Sequence, residues 1–379
     1  MNENEKIRVL QVVPNMQAGG LETLIMNLYR HIDRNKVQFD FIVHYSKPNF
    51  YDEEIKKNSG RIYYLSFRDD GNILKYIRDL YKIFKENRYV IVHSHMPSLA
   101  FVHLGIAKLC GVKIRIVHSH NSSSSKTLKG RVKAVLLKLA PIFANKYFAC
   151  SQSAGRFLYG KASFHVVNNA IDLKRFVFST EKRDQIRSEF GVDSNTIVVG
   201  HIGRFNVQKN HMFLLDIFAE CLKKNENMKL VLVGDGELKK SILEKISELG
   251  LKENVILTGV RKNVHFFYSI FDVFVLPSLF EGLPVTGVEA QACGVPSLFS
   301  SEITQEVNLL PTTRYLSLKE SPQTWADSIL EMSKKGHAQN AAEYLQKYDI
   351  LRESKKLEEW YLENAKNNLS LNNGGLERV

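Results

Sequence analysis

Cysteine is scarce: four residues, Cys110, Cys150, Cys221 and Cys293, are scattered through 379 with no C-x-x-C pair. That spacing excludes a disulfide framework and a cysteine zinc site, and it fits a reducing cytosol. Long apolar runs are missing too. Tyr89 to Ala107 contains no Lys, Arg, Asp or Glu, but it holds His93, His95, His103 and Pro97, which splits it into a strand, a turn and a helix rather than a membrane span. The N-terminus offers only Ile7 to Val13 as an apolar stretch, broken by Arg8 and Gln11 and closed by Pro14, so no secretory signal is expected there. No tandem repeat or low-complexity tract occurs.

What is present is ordinary globular apolar content, 44%, with a charge excess: 52 Lys and Arg against 40 Asp and Glu, formally +12. The excess favours an anionic partner, which composition alone leaves open between nucleic acid, an anionic membrane and a phosphorylated small molecule. A single core stops growing at roughly 250–300 residues, so the length implies two domains.

Short β-branched runs alternate with longer amphipathic segments. Arg8–Val13, Gly20–Ile32, Phe39–Val43, Ile62–Leu65, Ile73–Glu86, Val90–His93, Ser98–Cys110, Ile114–His118, Tyr147–Cys150 and His165–Val167 make a first βα series. A second series starts at Ile197–Ile202 and continues through Leu214–Lys224, Lys229–Val233, Glu237–Leu249, Val255–Thr258, Val264–Phe271, Val273–Pro277 and Gly287–Cys293. Such alternation implies parallel sheets in two Rossmann-like halves. Residues 1–175 would form the first half. The charged stretch 176–194 would be a linker and 195–350 the second half, with helical segments at Trp325–Lys335, Ala338–Lys347 and Leu351–Asn367 and a frayed tail at 368–379.

Three constellations could carry chemistry. Gly19-Gly20-Leu21-Glu22-Thr23 opens the first helix, where glycines permit close backbone approach and helix amides favour an anion; a plain strand-to-helix turn is the alternative. Gly203-Arg204 through Lys209 follows the strand Ile197–Ile202, so Arg204 and Lys209 could grip a diphosphate at a strand's carboxyl end, or be solvated cations. The strongest is Glu281-Gly282-Leu283-Pro284-Val285-Thr286-Gly287-Val288-Glu289, with Pro284 in the first turn of a helix whose free amides would face a phosphate. Its two glutamates would reach one site from different elements.

Histidines pair as His93 and His95, then His118 and His120. No cysteine or carboxylate lies nearby to complete a metal site, so hydrogen-bonded strand-end histidines are expected, one of them open to a polar substrate. Lys126 to Lys146 carries Lys126, Lys129, Arg131, Lys133, Lys138 and Lys146 without a single acid, beside the apolar set Leu128, Val132, Val135, Leu136 and Leu139. That suits an anionic membrane surface, or a domain helix with its stripe in the core. Aromatics do not interleave with these cations, so nucleic acid is not expected.

In order and spacing these pieces resemble the retaining glycosyltransferases of family 4. The resemblance runs through Gly19-Gly20-Leu21-Glu22, His118-Ser119-His120, Ala149-Cys150-Ser151, Val167 to Asp172, Gly203-Arg204 with Lys209, Val233-Gly234-Asp235-Gly236-Glu237, and the E-x7-E of Glu281 and Glu289. It implies an α/β GT-B fold, two Rossmann-like parallel-sheet domains facing across a cleft, with the last helix crossing back onto the first domain. It also implies roles. Arg204 and Lys209 would hold the donor diphosphate and Glu289 the ribose. Glu281 and the backbone of Gly282, Leu283, Pro284 and Val285 would hold sugar and phosphate; Gly19 and Gly20 would close on the phosphates; His120, with His118 second, would meet the sugar at the reacting centre. Departures at Ala170, Asn263 and Val285-Thr286-Gly287 touch the hinge and the nucleotide pocket.

The resemblance further implies a transferase moving sugar from a nucleotide-diphosphate donor, UDP foremost, onto a lipid-linked or polysaccharide acceptor, in the cytoplasm or peripherally on the inner face of the cell membrane. No Asp-x-Asp occurs, so neither metal nor cofactor is expected, and the leaving phosphate would be stabilised by cations and amides. A nucleotide-sugar epimerase of the same fold and a non-catalytic nucleotide-sugar binder are the alternatives.

Overall fold

Two strands, β1 (Ile7–Val12) and β8 (Ile197–Ile202), organise everything else in the chain. In the computed structural model, which describes residues 6–17, 19–45, 47–65, 67–120 and 135–373, each is the third strand of its own parallel sheet. The first sheet adds β2 (Val37–Val43), β3 (Ile62–Tyr64), β4 (Ile91–Ser94), β5 (Ile114–Ser119), β6 (Lys146–Ala149) and β7 (His165–Val166), in the order β3-β2-β1-β4-β5-β6-β7. The second adds β9 (Met228–Val233), β10 (Val255–Gly259), β11 (Val273–Leu276), β12 (Ser297–Ser300) and β13 (Thr313–Leu316), in the order β10-β9-β8-β11-β12-β13. Every pairing is parallel. The order reverses at β1 and again at β8, and the carboxyl ends beside such reversals are where open α/β sheets take ligands.

Central strands covered on both faces bury their whole length, as β2, β4 and β11 do. The chain divides at Ala170 and Ile171, and again at Asp349 and Ile350, into two Rossmann-like units. The second crossing returns the last helix, Ile350–Asn373, to the first unit, where Leu357, Tyr361 and Ala365 pack in one cluster with Ile25, Leu28 and Phe39. Each large apolar side chain buried this way contributes about 1.5–3 kcal/mol. Glu353 fixes the crossing by accepting from the Asn168 amide (3.2 Å), and Glu358 accepts from the Asp33 amide (2.8 Å).

Several segments differ from expectation. The stretch 176–194 holds a helix, Thr180–Glu189, started by the Ser179 hydroxyl, which accepts from the Lys182 amide. Phe176, Ile186 and Val192 enter the core of the second unit. Its charges mislead because Arg183 and Arg187 turn inward onto one carboxylate, Asp272, at 2.7 and 3.2 Å. Ala338–Lys347 shortens to a helix at Ala341–Tyr344 and a 3₁₀ turn at Gln346–Tyr348, with Asn340 in the left-handed region at φ +53° breaking it before Ala341. The last helix runs past Asn367, while 374–379 lie outside the described residues.

Candidate functional site

In the second unit the loops leaving β8 and β9 are sewn together by backbone. Gly203 N donates to Val233 O, Phe205 N to Asp235 O and Leu238 N to Phe205 O. That closeness dictates two glycines: a Cβ on Gly234, already at φ +144°, would lie 2.1 Å from the Gly203 carbonyl oxygen, and one on Gly236 would lie 2.5 Å from that of Phe205. Asn206 then caps the 3₁₀ turn Val207–Lys209 by accepting from the Lys209 amide.

The turn delivers Lys209 to Glu281, Nζ to Oε1 at 2.6 Å with both side chains largely buried. Gln208 Nε2 donates to Glu281 Oε2 (3.1 Å) and to the Phe280 carbonyl (2.9 Å), so the carboxylate is held from both oxygens. Arg204 is placed differently. It is exposed and pairs with Glu237 at 3.2 Å, an interaction worth only about 0–1 kcal/mol and readily exchanged for another anion.

After Glu281 the chain turns through Gly282 and Leu283 to Pro284, which is the residue before the helix Val285–Ala292 rather than within its first turn. No side chain caps this helix among the described residues. Thr286 Oγ1 is buried there without a protein partner. Glu289 lies one turn in, 5% exposed, and accepts from the Tyr268 hydroxyl at 2.6 Å. Burial pushes its carboxyl up to about 7, against the opposing pull of the Tyr268 hydrogen bond and the Arg175 charge.

In the first unit Gly19 is extended ahead of the helix Gly20–His31, which no side chain caps. The histidines end β4 and β5 as neighbours and form an array. His93 meets His118 at 3.0 Å and His95 meets His120 at 2.9 Å, while His93 also reaches Tyr361 (2.6 Å) and His95 reaches Gln11 (2.9 Å). Burial pushes all four imidazoles down, His93 and His120 to about 3. His93, His95 and His118 each offer a nitrogen within 4.8 Å of the others.

Lys126, Lys129, Arg131 and Lys133 lie outside the described residues. Of the rest of that stretch, 135–139 is helical with Val135 and Leu136 exposed, but Lys146 belongs to β6, so a single basic helix does not extend to Lys146. No described helix is long and apolar enough to cross a membrane.

Sequence reading missed Gln208, Tyr268, Gln11 and Tyr361, which touch the predicted residues from elsewhere in the chain. Only Gln208, one residue before Lys209, carried a local signal.

Two family models match: "Glycosyltransferase Family 4" over residues 18–175 and "Glycosyl transferases group 1" over 182–349. The putative glycosyltransferase EpsF of Bacillus subtilis is 38% identical over 347 residues, 89% of this chain and 90% of that one. An Escherichia coli UDP-Gal:α-D-GlcNAc-diphosphoundecaprenol α-1,3-galactosyltransferase is 29% identical over 60% of this chain and 62% of its own. Among solved structures, Anabaena HepE in complex with UDP and glucose superposes with a TM-score of 0.79 at 20% identity, covering 94% of this chain and 99% of that one.

Proposed function

The chain belongs to the family 4 glycosyltransferases, and from that premise we propose that it transfers a sugar, with retention, from a UDP-linked donor to a lipid-linked or saccharide acceptor in cell-surface polysaccharide biosynthesis. The observation that carries the reading is the Lys209–Glu281 pair at the carboxyl end of β8. It sets a cation for a diphosphate against a carboxylate for a sugar hydroxyl. The UDP galactosyltransferase named above supports the donor class and a lipid-linked acceptor.

In this mechanism Lys209 and Arg204 take the diphosphate oxygens as negative charge develops on the leaving group. The amides of Gly282, Leu283 and Val285 and the uncapped helix start add fixed dipoles. Glu289 receives the ribose hydroxyls, Glu281 orients the transferred sugar, and Gly19 and Gly20 offer backbone to the phosphates. His120 meets the sugar near the anomeric carbon. The leaving phosphate itself draws the acceptor proton, so these residues need no covalent nucleophile. The acid-free stretch Lys126 to Lys146 supplies peripheral contact with anionic membrane, at about 1 kcal/mol per near-surface cation.

A thermal-shift panel of nucleotide sugars tests the donor, since a ligand at 100 times its dissociation constant stabilises by about 2.7 kcal/mol. The responding donor should then support transfer to a lipid-diphosphate sugar, and Glu281→Ala should abolish it. No response from any UDP-sugar would overturn the donor assignment. Vesicle binding should be lost on reversing Lys129, Arg131 and Lys133, and unchanged binding would remove the membrane contact.

A further inference from the structure

The four-histidine array is more than the one sugar contact asked of it, because its members are wired in a fixed direction. Gln11 on β1 is 1% exposed and its Oε1 can only accept, so the facing His95 Nε2 must carry a proton. A neutral His95 then has its lone pair on Nδ1, which obliges His120 Nε2 to donate across their 2.9 Å contact. His120 is left with a bare lone pair on Nδ1. It is also the half-buried member, the other three being 6% exposed or less.

The other arm is consistent with this sense of the Gln11 amide. With its amide nitrogen toward the Tyr361 oxygen, the Tyr361 hydroxyl can donate to His93 Nδ1 and His93 Nε2 to His118 Nδ1, across contacts of 2.6 and 3.0 Å. Burial keeps the four rings neutral, as a wire of single protons requires. The groups facing one another are the Gln11 amide from β1, His93 and His95 from β4, His118 and His120 from β5 and Tyr361 from the last helix, with no formal charge among them. The same wiring argues against a cation held by His93, His95 and His118. All three lone pairs already accept hydrogen bonds, and the remaining His118 Nε2 bears a proton beside a cavity of about 10 Å³, the room of one water molecule.

We propose that Gln11, acting through His95, is a positioning residue that fixes His120 as its Nε2–H tautomer, so that His120 meets the donor sugar as a hydrogen-bond acceptor at Nδ1. This rests on the reading that His120 contacts the sugar, and the experiment separates the two claims. The full chain labelled with ¹⁵N-histidine, with His120 assigned from a His120→Asn variant, should show His120 protonated at Nε2 and bare at Nδ1 without any substrate. In Gln11→Glu the ionised carboxylate would hold His95 doubly protonated and oblige His120 Nε2 to accept, moving the His120 proton to Nδ1. Its kcat should fall about tenfold near pH 7.5 with KM for the nucleotide sugar within about twofold.

Gln11→Met, isosteric without an acceptor, serves if the glutamate variant does not fold, and should give a mixture of His120 tautomers. A His120 protonated at Nδ1 in the parent chain, a tautomer unmoved by both substitutions, or stoichiometric Zn²⁺ uptake that shifts the array's signals would each overturn the proposal. Full activity in His120→Ala would overturn the sugar contact and, with it, the catalytic half of the proposal. The tautomer measurement, which uses no substrate, decides the wiring separately.

Discussion

Lys209 Nζ lies 2.6 Å from Glu281 Oε1, with the second carboxylate oxygen held by Gln208, so without a ligand the site neutralises its own cation. On the proposed reading, an incoming diphosphate competes with Glu281 for Lys209. Removing the competing charge while keeping the shape separates binding from turnover. Glu281→Gln should bind the nucleoside diphosphate severalfold tighter, up to about tenfold or 1.4 kcal/mol, because Lys209 is freed. Transfer should nevertheless fall by roughly 10²-fold or more as the sugar loses a charged acceptor. Calorimetry beside initial rates checks this; a parallel loss of both would mean that Glu281 acts mainly by holding Lys209 in place.

Glu289 predicts a pH dependence of nucleotide binding. Its folded carboxyl, raised to about 7 by burial, binds a proton that the unfolded chain has already released above about 4.5. Its burial therefore costs stability as pH rises from about 4.5 through 7. Ribose hydroxyls bound to Glu289 as proposed would favour the ionised form, so affinity should rise about tenfold between pH 6 and 8. The terminal phosphate of a nucleoside diphosphate itself titrates at about pH 6, and Glu289→Gln isolates that contribution. Tyr268→Phe removes a donor that favours the charged form, so it should move the affinity rise to higher pH.

How much of this was legible follows from where the information sits. The run Ile197–Ile202 reads as a strand because its β-branched residues are local, and the structure starts and ends β8 at the same two residues. Ser297–Ser300 and Thr313–Leu316 were not read as strands, since four residues bounded by serine or threonine carry almost no period; neighbours β11 and β13 flank the first of them. The helix Thr180–Glu189 was hidden by charge that is satisfied at distant Asp272. Of the candidate site, Glu281, Glu289, Arg204 and Lys209 are singled out by type and spacing. The partners that set their state, Tyr268 for Glu289 and Gln11 for His95, come from other elements and leave no mark beside them.

The buried histidines predict acid lability. His93, His95 and His118 stay neutral in the folded chain, whereas the unfolded chain protonates them below about 6.5. Their folded values are depressed, so stability is lost as pH falls through the unfolded value, by roughly 1 kcal/mol each between pH 6.5 and 5.5. Urea unfolding followed across that range should show the loss. Replacing His118 with Phe should flatten the slope by about a third of these three residues' share, and an unchanged slope would mean that these rings are accessible to protons in the folded state.

Gly236 offers the sharpest steric test of the donor loops. A Cβ there would stand 2.5 Å from the Phe205 carbonyl oxygen and 2.8 Å from its amide nitrogen, and both obstacles are backbone that cannot rotate away. Gly236→Ala must therefore part the loops that follow β8 and β9, straining the Leu238 N to Phe205 O and Phe205 N to Asp235 O bonds. Lost backbone hydrogen bonds of this kind cost about 0.5–1.5 kcal/mol each, so a destabilisation of about 1–3 kcal/mol is expected. The distinctive consequence is functional. The loop carrying Arg204 and the Asn206 cap of the Lys209 turn would shift together, raising KM for the nucleotide sugar at least about tenfold. Gly250→Ala, at a left-handed helix end with nothing within 4 Å of its Cβ, should destabilise through backbone strain alone and leave KM unchanged. Equal KM in the two variants would show that the contact between the loops does not position the cations.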